Sequence, residues 1–408
     1  MEPTVKEDIQ NVLNQIIDWL SQDKPEELLE LSNHVIHDAS IFQDEDSISF
    51  AVLVYALYKT ILRCKQQEEC KYGQFLEQLK KMQQLLLADN FDDYRNAIKK
   101  LFAEIKKSDQ KLALYIEEVL AKARIKKGSK IHEHGISIAR AAEMLNISQW
   151  ELANYIGKTT IPEAVGKTVK ERLAFARKHM KKLVFDAGPI ISLTTNNLLW
   201  TLLQLKKTVA GEFYIPSCVK KELIERPLQT KKFKFEALQV ESQVEAGVLT
   251  IVPHESIAEQ SNELYQLANR IFYAQNRPMT ILQMGEIQTL ASAIMLDASA
   301  AVVDERITRA LLEEPDRLRQ ILKQRLHTSV RVDRNALDVF SKKTRHVQIV
   351  RSAELAVVAL ENGILDKFIV HVPDAKRTLL ESVLWGLKLN GCAISEEEIN
   401  VLLKSAEQ

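Results

Sequence analysis

A strand pattern changes to a helix pattern within the ten residues Leu183-Val-Phe-Asp186-Ala-Gly-Pro-Ile-Ile-Ser192. Three apolar residues come first and lead into Asp186, which is typical of a short buried strand. Pro189 then suits the first turn of a helix, because the N–H that proline lacks has no partner there anyway. The run therefore predicts a strand that leads directly into a helix, the repeating unit of an α/β domain.

The same order recurs along the rest of the chain. Apolar strands are predicted at Glu212–Pro216, Leu249–Val252 and Ala300–Val303, and helices are predicted to begin at Ser217 and Gly285. Alternating strands and helices of these lengths are typical of a parallel sheet flanked by helices. Residues 183–408 are therefore predicted to be an α/β domain, in which ligands bind at the carboxyl ends of the strands.

Four acidic residues are predicted near that edge of the sheet. Asp186 and Asp304 each follow a predicted strand, Glu222 lies on the helix after the second strand, and Glu286 lies at the amino end of a helix, whose dipole favours its ionised form. Mg²⁺ and Mn²⁺ need several carboxylate oxygens at one place, and they would offset the mutual repulsion of such acids. Any one of these acids alone is more often a helix cap or a solvated side chain, so the prediction of a metal site depends on their order and setting.

The first 126 residues have a helical pattern almost without interruption. Apolar residues recur at spacings of three and four, as in Ile9, Val12 and Leu13. About six helices with short connections predict an all-α bundle over residues 1–126. Residues 1–110 carry 13 Lys and Arg against 20 Asp and Glu, so this part is acidic. Its expected roles are self-association into a homo-oligomer, or docking of a protein or ribonucleoprotein partner such as the ribosome.

A second module is predicted over residues 127–182. Lys126–Lys130 is interpreted as a basic break between helices, because it contains a glycine and a serine. After it, Ser137 can cap a first helix, Asn146 suits a left-handed turn, and Ser148 can cap a second helix. This pattern is typical of a helix-turn-helix, which places its second helix against nucleic acid. A helical corner that binds only protein is the alternative. Four residues are expected on the exposed side of the second helix: Gln149, Trp150, Asn154 and Lys158.

Positive charge is concentrated in two parts of a chain whose net charge is zero. Residues 122–182 carry 14 Lys and Arg against 5 acids, and residues 306–351 carry 12 against 5. Such asymmetry is typical of nucleic-acid contact, although an uneven solvated surface gives the same counts. In the second part, four residues fall along one predicted helix, as a phosphate-binding strip would: Arg317, Arg319, Lys323 and Arg325. A solvated helix that covers the sheet is the alternative.

Composition narrows the class of protein further. No stretch of the sequence approaches the run of about 18 apolar residues that a membrane span needs, and residues 1–23 are too polar and acidic for a signal peptide. The chain is therefore expected in the cytoplasm, without a membrane partner. Its four cysteines include no CxxC pair and are expected to be reduced thiols.

Four stretches, taken in order, resemble the PIN-domain nucleases, in particular those found as toxins in prokaryotic toxin–antitoxin pairs. The stretches are Val-Phe-Asp186-Ala-Gly-Pro-Ile-Ile-Ser, Tyr-Ile-Pro-Ser-Cys-Val-Lys-Lys-Glu222-Leu, Gly-Glu286-Ile-Gln-Thr-Leu-Ala and Ala-Val-Val-Asp304-Glu. Ser352–Gly363 and Leu380–Ala406 resemble the tail of that family. The helix-turn-helix is similar to small antitoxin-type DNA-binding modules, so the chain resembles a fusion of the two, of an archaeal style.

The resemblance implies an endonuclease that cleaves RNA, or less often DNA, with Mg²⁺ or Mn²⁺. Asp186, Glu286 and Asp304 would hold the metal, Glu222 would complete the acidic set, and Glu305 would assist as a direct or neighbouring ligand. A metal-activated water would attack phosphorus in line, while the metal stabilises charge on the leaving oxygen. Ser192 and Thr195 are expected to orient that water.

The sequence departs from the family pattern in the basic insert, residues 306–351. This insert lengthens the segment between the last acids and the tail, where it would either guide a structured RNA or block the crevice. The alternative function is a non-catalytic DNA- or RNA-binding regulator that keeps the nuclease fold as a scaffold. Because all four acids remain in place, a metal-dependent endoribonuclease is the preferred prediction.

Overall fold

The structure, a computed structural model, describes residues 1–22, 24, 27–32, 34–35, 45–66, 73–107, 110–159 and 166–406. The chain forms two compact units. Unit 1 comprises Met1–His134 with Glu143–Ile147, and unit 2 comprises Gly135–Ala142 with Ser148–Gln408. In the described ranges, no helix combines the length and the apolar run that crossing a membrane requires.

Unit 1 is helical, as its apolar spacing predicts. Val12, Leu13 and Ile16 form one buried stripe of the first helix, and burial of such stripes supplies most of the stability of helices in a bundle. The helices whose bounds fall within the described residues are α1 (Pro3–Ser21), α2 (Glu45–Gln66), α3 (Gly73–Leu87), α4 (Phe91–Lys107) and α5 (Gln110–Glu133).

The predicted break at Lys126–Lys130 is wrong, because α5 continues through it to Glu133. Gly128 and Ser129 are buried within the helix, so packing overrides the low helix propensity of glycine. Lys127 is also buried, and its ammonium donates to the carbonyl oxygen and the hydroxyl of Ser32, at 2.8 and 2.7 Å. Burial, together with neighbouring lysines, lowers the pKa of Lys127 to about 7.

The fold of unit 2 centres on a five-stranded parallel sheet, in the order β3-β2-β1-β6-β8. A smaller antiparallel sheet has the order β5-β4-β7. The strands are β1 (Lys182–Phe185), β2 (Glu212–Pro216), β3 (Leu249–Val252), β4 (Phe272–Ala274), β5 (Arg277–Pro278), β6 (Ala300–Val302), β7 (Val330–Val332) and β8 (Ile349–Val350).

Helices follow the strands of the large sheet, so its central strands are buried on both faces and are almost wholly apolar. Phe185 of β1 packs edge-on against Phe213 of β2 in this core. The helices are α6 (Ile138–Met144), α7 (Gln149–Thr159), α8 (Val169–Lys178), α9 (Ala187–Thr195), α10 (Thr201–Thr208), α11 (Ser217–Lys220), α12 (Arg226–Leu228), α13 (Lys234–Glu245), α14 (His254–Ala268), α15 (Met284–Met295), α16 (Arg306–Glu313), α17 (Pro315–Leu326), α18 (Arg334–Thr344), α19 (Ser352–Glu361), α20 (Ala375–Leu389) and α21 (Glu396–Ala406). A π-helical turn, Lys221–Glu225, separates α11 from α12.

The α/β fold predicted for the C-terminal half is confirmed, with the strands and helices in the expected order. The basic insert differs from its prediction in two respects. Its last residues form β8, which pairs with β6 and completes the large sheet. In addition, Arg306, Arg309 and Arg351 are buried, so they do not belong to a basic surface.

Candidate functional site

Asp186 and Asp304 lie side by side at the carboxyl edge of the large sheet. They follow the neighbouring strands β1 and β6, which pair in parallel. Asp186 is 6% exposed and Asp304 is 1% exposed. Gly188 lies beside both of them: a methyl group there would lie 3.6 Å from Cβ of Asp304 and 3.8 Å from Oδ2 of Asp186. The sheet topology therefore brings these two predicted acids together.

Asp304 is held by two serines. Ser192 Oγ donates to Oδ2 at 2.8 Å, while Ser352 donates to Oδ1 through its backbone N–H at 2.8 Å and to Oδ2 through its hydroxyl at 2.7 Å. The Ser192 hydroxyl thus donates to the carboxylate, and Thr195 Oγ1 donates to the carbonyl of Ile191 at 2.8 Å. Their predicted role in orienting a water stays a prediction.

Glu286 lies in the first turn of α15 and forms part of a capping box with Gln283. Its Oε2 accepts from the backbone N–H of Gln283 at 2.6 Å and from Ser137 Oγ at 3.0 Å. Thr308 Oγ1 lies 3.5 Å from the other carboxylate oxygen, Oε1. Glu286 is only 3% exposed, so this helix begins with a buried carboxylate facing the sheet edge.

Glu305 caps the amino end of α16. Its Oε1 accepts from the backbone N–H of Ile307 at 2.9 Å, and its Oε2 accepts from that of Ile138 at 3.2 Å. The residue is buried like its neighbours. It thus has the helix-capping role that an acid after a strand commonly has. It also lies among the acids at this edge of the sheet.

Glu222 lies in the π turn between α11 and α12. Such turns are rare and often occur at functional sites. Oε2 of Glu222 accepts from Gln149 Nε2 at 3.1 Å. A methyl group on Gly285, in the first turn of α15, would lie 3.3 Å from both Glu222 oxygens. The residue therefore approaches the amino end of the helix that carries Glu286.

Electrostatic effects connect these acids. The pKa of Asp186 is raised to about 6: burial is the main cause and the charges of Glu305 and Asp304 contribute, whereas hydrogen bonds from the Ala187 and Gly188 amides oppose the increase. Burial and the charge of Asp186 raise the pKa of Glu286 well above its ordinary value. Burial raises the pKa of the Cys218 thiol, and the charges of Glu222 and Asp186 add to this effect. These acids therefore interact electrostatically and are treated as one group. This group, the acidic cluster, consists of Asp186, Glu222, Glu286, Asp304 and Glu305.

Three acids of this cluster, Asp186, Glu286 and Asp304, are called its central acids and are not paired with a basic side chain within the described residues. Among the ion pairs in the described part of the chain, none involves Asp186, Glu286 or Asp304. Buried carboxylates without a paired cation are costly, and hard divalent cations prefer oxygen ligands of this kind. The chemistry of the acidic cluster thus fits Mg²⁺ or Mn²⁺.

The geometry, however, is not that of a complete metal-binding site. Across the described residues, no three His, Cys, Asp or Glu side chains stand together as a ready set of ligands. Several carboxylate oxygens are instead bound to protein donors, among them Ser137, Gln149 and Ser352. Sequence reasoning missed these donors as parts of the site. Ser137 was interpreted only as a helix cap, which it also is, since it accepts from the Arg140 N–H at 3.2 Å.

The residues predicted to face nucleic acid from α7 are mostly turned inward. Trp150 is 1% exposed and stacks on Phe233, with ring centroids 5.7 Å apart, so its predicted exposure is wrong. Gln149 is bound to Glu222, and Asn154 is half-buried, whereas Lys158 is exposed as expected. The physical reason is that α7 packs against α20, and Trp150 joins the apolar core of unit 2.

The basic strip on α17 agrees better with its prediction. Arg317, Arg319 and Lys323 are exposed, and Arg325 is half-buried. Arg319 Nε donates to the carbonyl of Val330 at 3.0 Å, which fixes part of the strip against β7. Binding of nucleic acid by these four residues, and by Lys158, stays a prediction.

Comparison with known proteins supports the resemblance for part of the chain. A family model described as a PIN domain matches residues 182–316. The match supports a PIN-domain protein. It includes four strands of the large sheet and all five members of the acidic cluster, and it ends before β8 and Ser352. PIN domains have a nuclease fold and generally use divalent metals. No curated protein and no solved structure matches the chain.

Proposed function

We propose that the chain is a divalent-metal-dependent endonuclease that hydrolyses phosphodiester bonds in RNA. The observation that carries this proposal is the acidic cluster at the carboxyl edge of the parallel sheet. Its central members are buried, repel one another and have no basic partner among the described ion pairs. A fold would seldom keep such an arrangement for stability alone, since each buried charge without a partner weakens the folded state.

Asp186, Glu286 and Asp304 would hold Mg²⁺ or Mn²⁺, with Glu305 and Glu222 as the nearest additional oxygen donors. When bound, the cation would neutralise these carboxylates, activate water and stabilise charge on the phosphodiester. Ser192 and Ser352 hold both oxygens of Asp304 in one orientation, so this ligand would need little reorganisation. Gly188 leaves the space between Asp304 and Asp186 free of a side chain.

The exposed cations of α17 support a nucleic-acid substrate. Arg317, Arg319 and Lys323 lie within one helix of the same unit and can each contact a phosphate. The PIN-domain match over residues 182–316 supports the general class, a nuclease. RNA is proposed over DNA on the resemblance to the toxin nucleases.

The test compares Asp186→Asn and Asp304→Asn with the native chain on a labelled single-stranded RNA in Mn²⁺. Cleavage should fall by roughly a hundredfold or more in each variant, because metal catalysis contributes several kcal/mol to transition-state stabilisation. Asp338→Asn, which changes an exposed acid on α18, is the matched control and should cleave normally. Cleavage at the native rate by both site variants would refute the site.

A non-catalytic regulator would behave differently in the same assay. It would retain RNA in a filter-binding experiment with a chelator present, and it would cleave with neither Mg²⁺ nor Mn²⁺. Binding without cleavage under every cation tested would therefore replace the nuclease proposal with the regulator.

A further inference from the structure

Three hydrogen bonds join the acidic cluster to a part of unit 2 that precedes the PIN-domain match. This part, called the docked segment, comprises residues 137–142 and 148–159. Ser137 Oγ donates to Glu286 Oε2 at 3.0 Å, and the Ile138 N–H donates to Glu305 Oε2 at 3.2 Å. Gln149 Nε2 donates to Glu222 Oε2 at 3.1 Å. Three of the five acids are therefore engaged by the same segment.

These bonds leave little of the cluster free for a ligand. Both oxygens of Glu305 are engaged, because its Oε1 accepts from the Ile307 N–H. The central acids are at most 6% exposed. A phosphodiester group is bulky and anionic, so it would have to displace the docked segment to reach Glu222, Glu286 and Glu305.

The docked segment is also held by contacts of α7 with other parts of unit 2. Trp150 stacks on Phe233, and Glu151 forms an ion pair with Lys232 at 2.5 Å. Ala153 packs against Gly391, where an added methyl group would lie 3.0 Å from its Cβ. Specific packing contacts of α7 therefore hold the docked segment in place.

This packing nevertheless leaves two polar groups of α7 without partners. Trp150 Nε1 and Asn154 Oδ1 are buried and have no hydrogen-bond partner in the described structure. Buried polar groups are nearly always bonded, and each exception weakens the arrangement that buries it. Both groups would regain hydrogen bonds to water if α7 moved away. These unpaired groups therefore destabilise the docked state, and release of α7 would remove that destabilisation.

We propose that the docked segment is an inhibitor within the chain, which competes with the divalent cation and with nucleic acid for Glu222, Glu286 and Glu305. The inference rests on the proposed function, since it assigns to these acids the role of cation ligands. The donors of the segment satisfy the carboxylates when the cation is absent. Cation binding and segment docking are then mutually unfavourable, so each lowers the affinity of the other by the same factor.

The rival explanation is that Ser137 and Gln149 position the carboxylates for the cation, as outer donors do in many metal sites. The two explanations predict opposite signs. Competition predicts that removing a donor strengthens cation binding, whereas positioning predicts that the same change weakens it.

The experiment measures Mn²⁺ affinity of the full chain by titration calorimetry. The variants are Gln149→Ala, Ser137→Ala and the double variant. Asp338→Asn is the control, because Asp338 is an exposed acid that lies outside the docked segment and the acidic cluster. Competition predicts binding roughly tenfold tighter in the double variant, with the control unchanged, as expected for the loss of hydrogen bonds to charged groups. Unchanged or weaker binding in the double variant would overturn the inference.

A second measurement needs no substitution. Hydrogen exchange of the α7 amides in the native chain should become faster on saturation with Mn²⁺, since cation binding releases the segment. Slower or unchanged exchange contradicts competition. If the native chain binds Mn²⁺ and Asp186→Asn does not, while the donor variants bind as the native chain does, the proposed function stands and only the inhibitor is refuted. Absence of Mn²⁺ binding in every protein refutes both.

Discussion

Two buried glutamates of unit 2 occupy the same position in their helices but have opposite surroundings. Glu286 is the third residue of α15 and Glu354 is the third residue of α19, and each closes a capping box. Both are at most 3% exposed. Glu354 accepts three hydrogen bonds from the Arg351 guanidinium, at 2.6 to 3.2 Å. Glu286 instead accepts from a hydroxyl and a backbone amide.

The ionisation of the two carboxyls differs accordingly. Burial alone would raise the pKa of Glu354, but the charge and hydrogen bonds of Arg351 lower it below its ordinary value. Burial raises the pKa of Glu286, and the charge of Asp186 adds to this increase. The same position in a helix is therefore compatible with a lowered or a raised pKa, and the presence or absence of a paired basic side chain determines which occurs. Glu354 is part of the framework, whereas Glu286 belongs to a site whose central acids form no ion pair among the described residues.

The largest effect is expected from removing the cation of the framework pair. Arg351→Met leaves Glu354 buried beside an apolar side chain and removes the partner of the half-buried Glu398, so it should lower the free energy of unfolding by about 3–5 kcal/mol. Urea denaturation followed by circular dichroism measures this loss. Lys342→Met, at an exposed lysine of α18, is the control. A loss under about 1 kcal/mol would mean that Arg351 does not stabilise Glu354.

Supplying a cation to the acidic cluster should have the next largest effect. Mg²⁺ or Mn²⁺ at a hundred times its dissociation constant should stabilise the native chain by about 2.7 kcal/mol, provided that it binds only the folded state. Thermal unfolding with and without the cation provides the measurement. Asp186→Asn should lose most of this increase. An equal increase in both proteins would place the cation elsewhere.

Removing a charge from the acidic cluster should stabilise the protein when a chelator is present. At pH 7.5, Asp186→Asn should raise the free energy of unfolding by on the order of 2 kcal/mol, because the native carboxyl is ionised there despite a pKa raised to about 6. Glu354→Gln should have the opposite sign, since it breaks an ion pair. Destabilisation by both variants would abolish the distinction between the two regions.

The smallest effect is a pH dependence with a defined sign. The folded chain takes up a proton at Asp186 near pH 6, whereas the unfolded chain does so only near the ordinary value of 3.8. Between these values the folded state binds more protons, so its stability increases as the pH falls. The difference between Asp186→Asn and the native chain should shrink by roughly 1 kcal/mol from pH 7.5 to pH 5. A constant difference would show that the pKa of Asp186 is not raised.

The sequence predicted those features that local pattern determines. Apolar runs gave the strands, and the position of Asp186 and Asp304 directly after two of them placed both acids at one edge of the sheet. Glu286 followed from the start of its helix. Each of these steps uses residues close together in the chain, together with the general rule that parallel strands end at the same edge.

The missed features depend on contacts between distant residues. Ser137 and Glu286 are 149 positions apart, and Ser352 and Asp304 are 48 apart. Helical periodicity identifies an apolar face, but it does not say which surface covers it, so Trp150 was expected at a surface that is in fact a core. Similarly, charge counts treat every arginine as exposed, whereas Arg351 is buried in an ion pair.

The π turn at Lys221–Glu225 has a consequence for how this chain can change during evolution. Such a turn accommodates one residue more than the regular helix around it. Loss of a single codon there would leave a smoother helix, yet it would rotate the two flanking parts by about 100° relative to each other. Either Glu222 would leave the acidic cluster, or Leu223 and Ile224 would leave the core. Deletion of one residue from this turn would therefore make the helix more regular, but it would disrupt either the acidic cluster or the packing of the core.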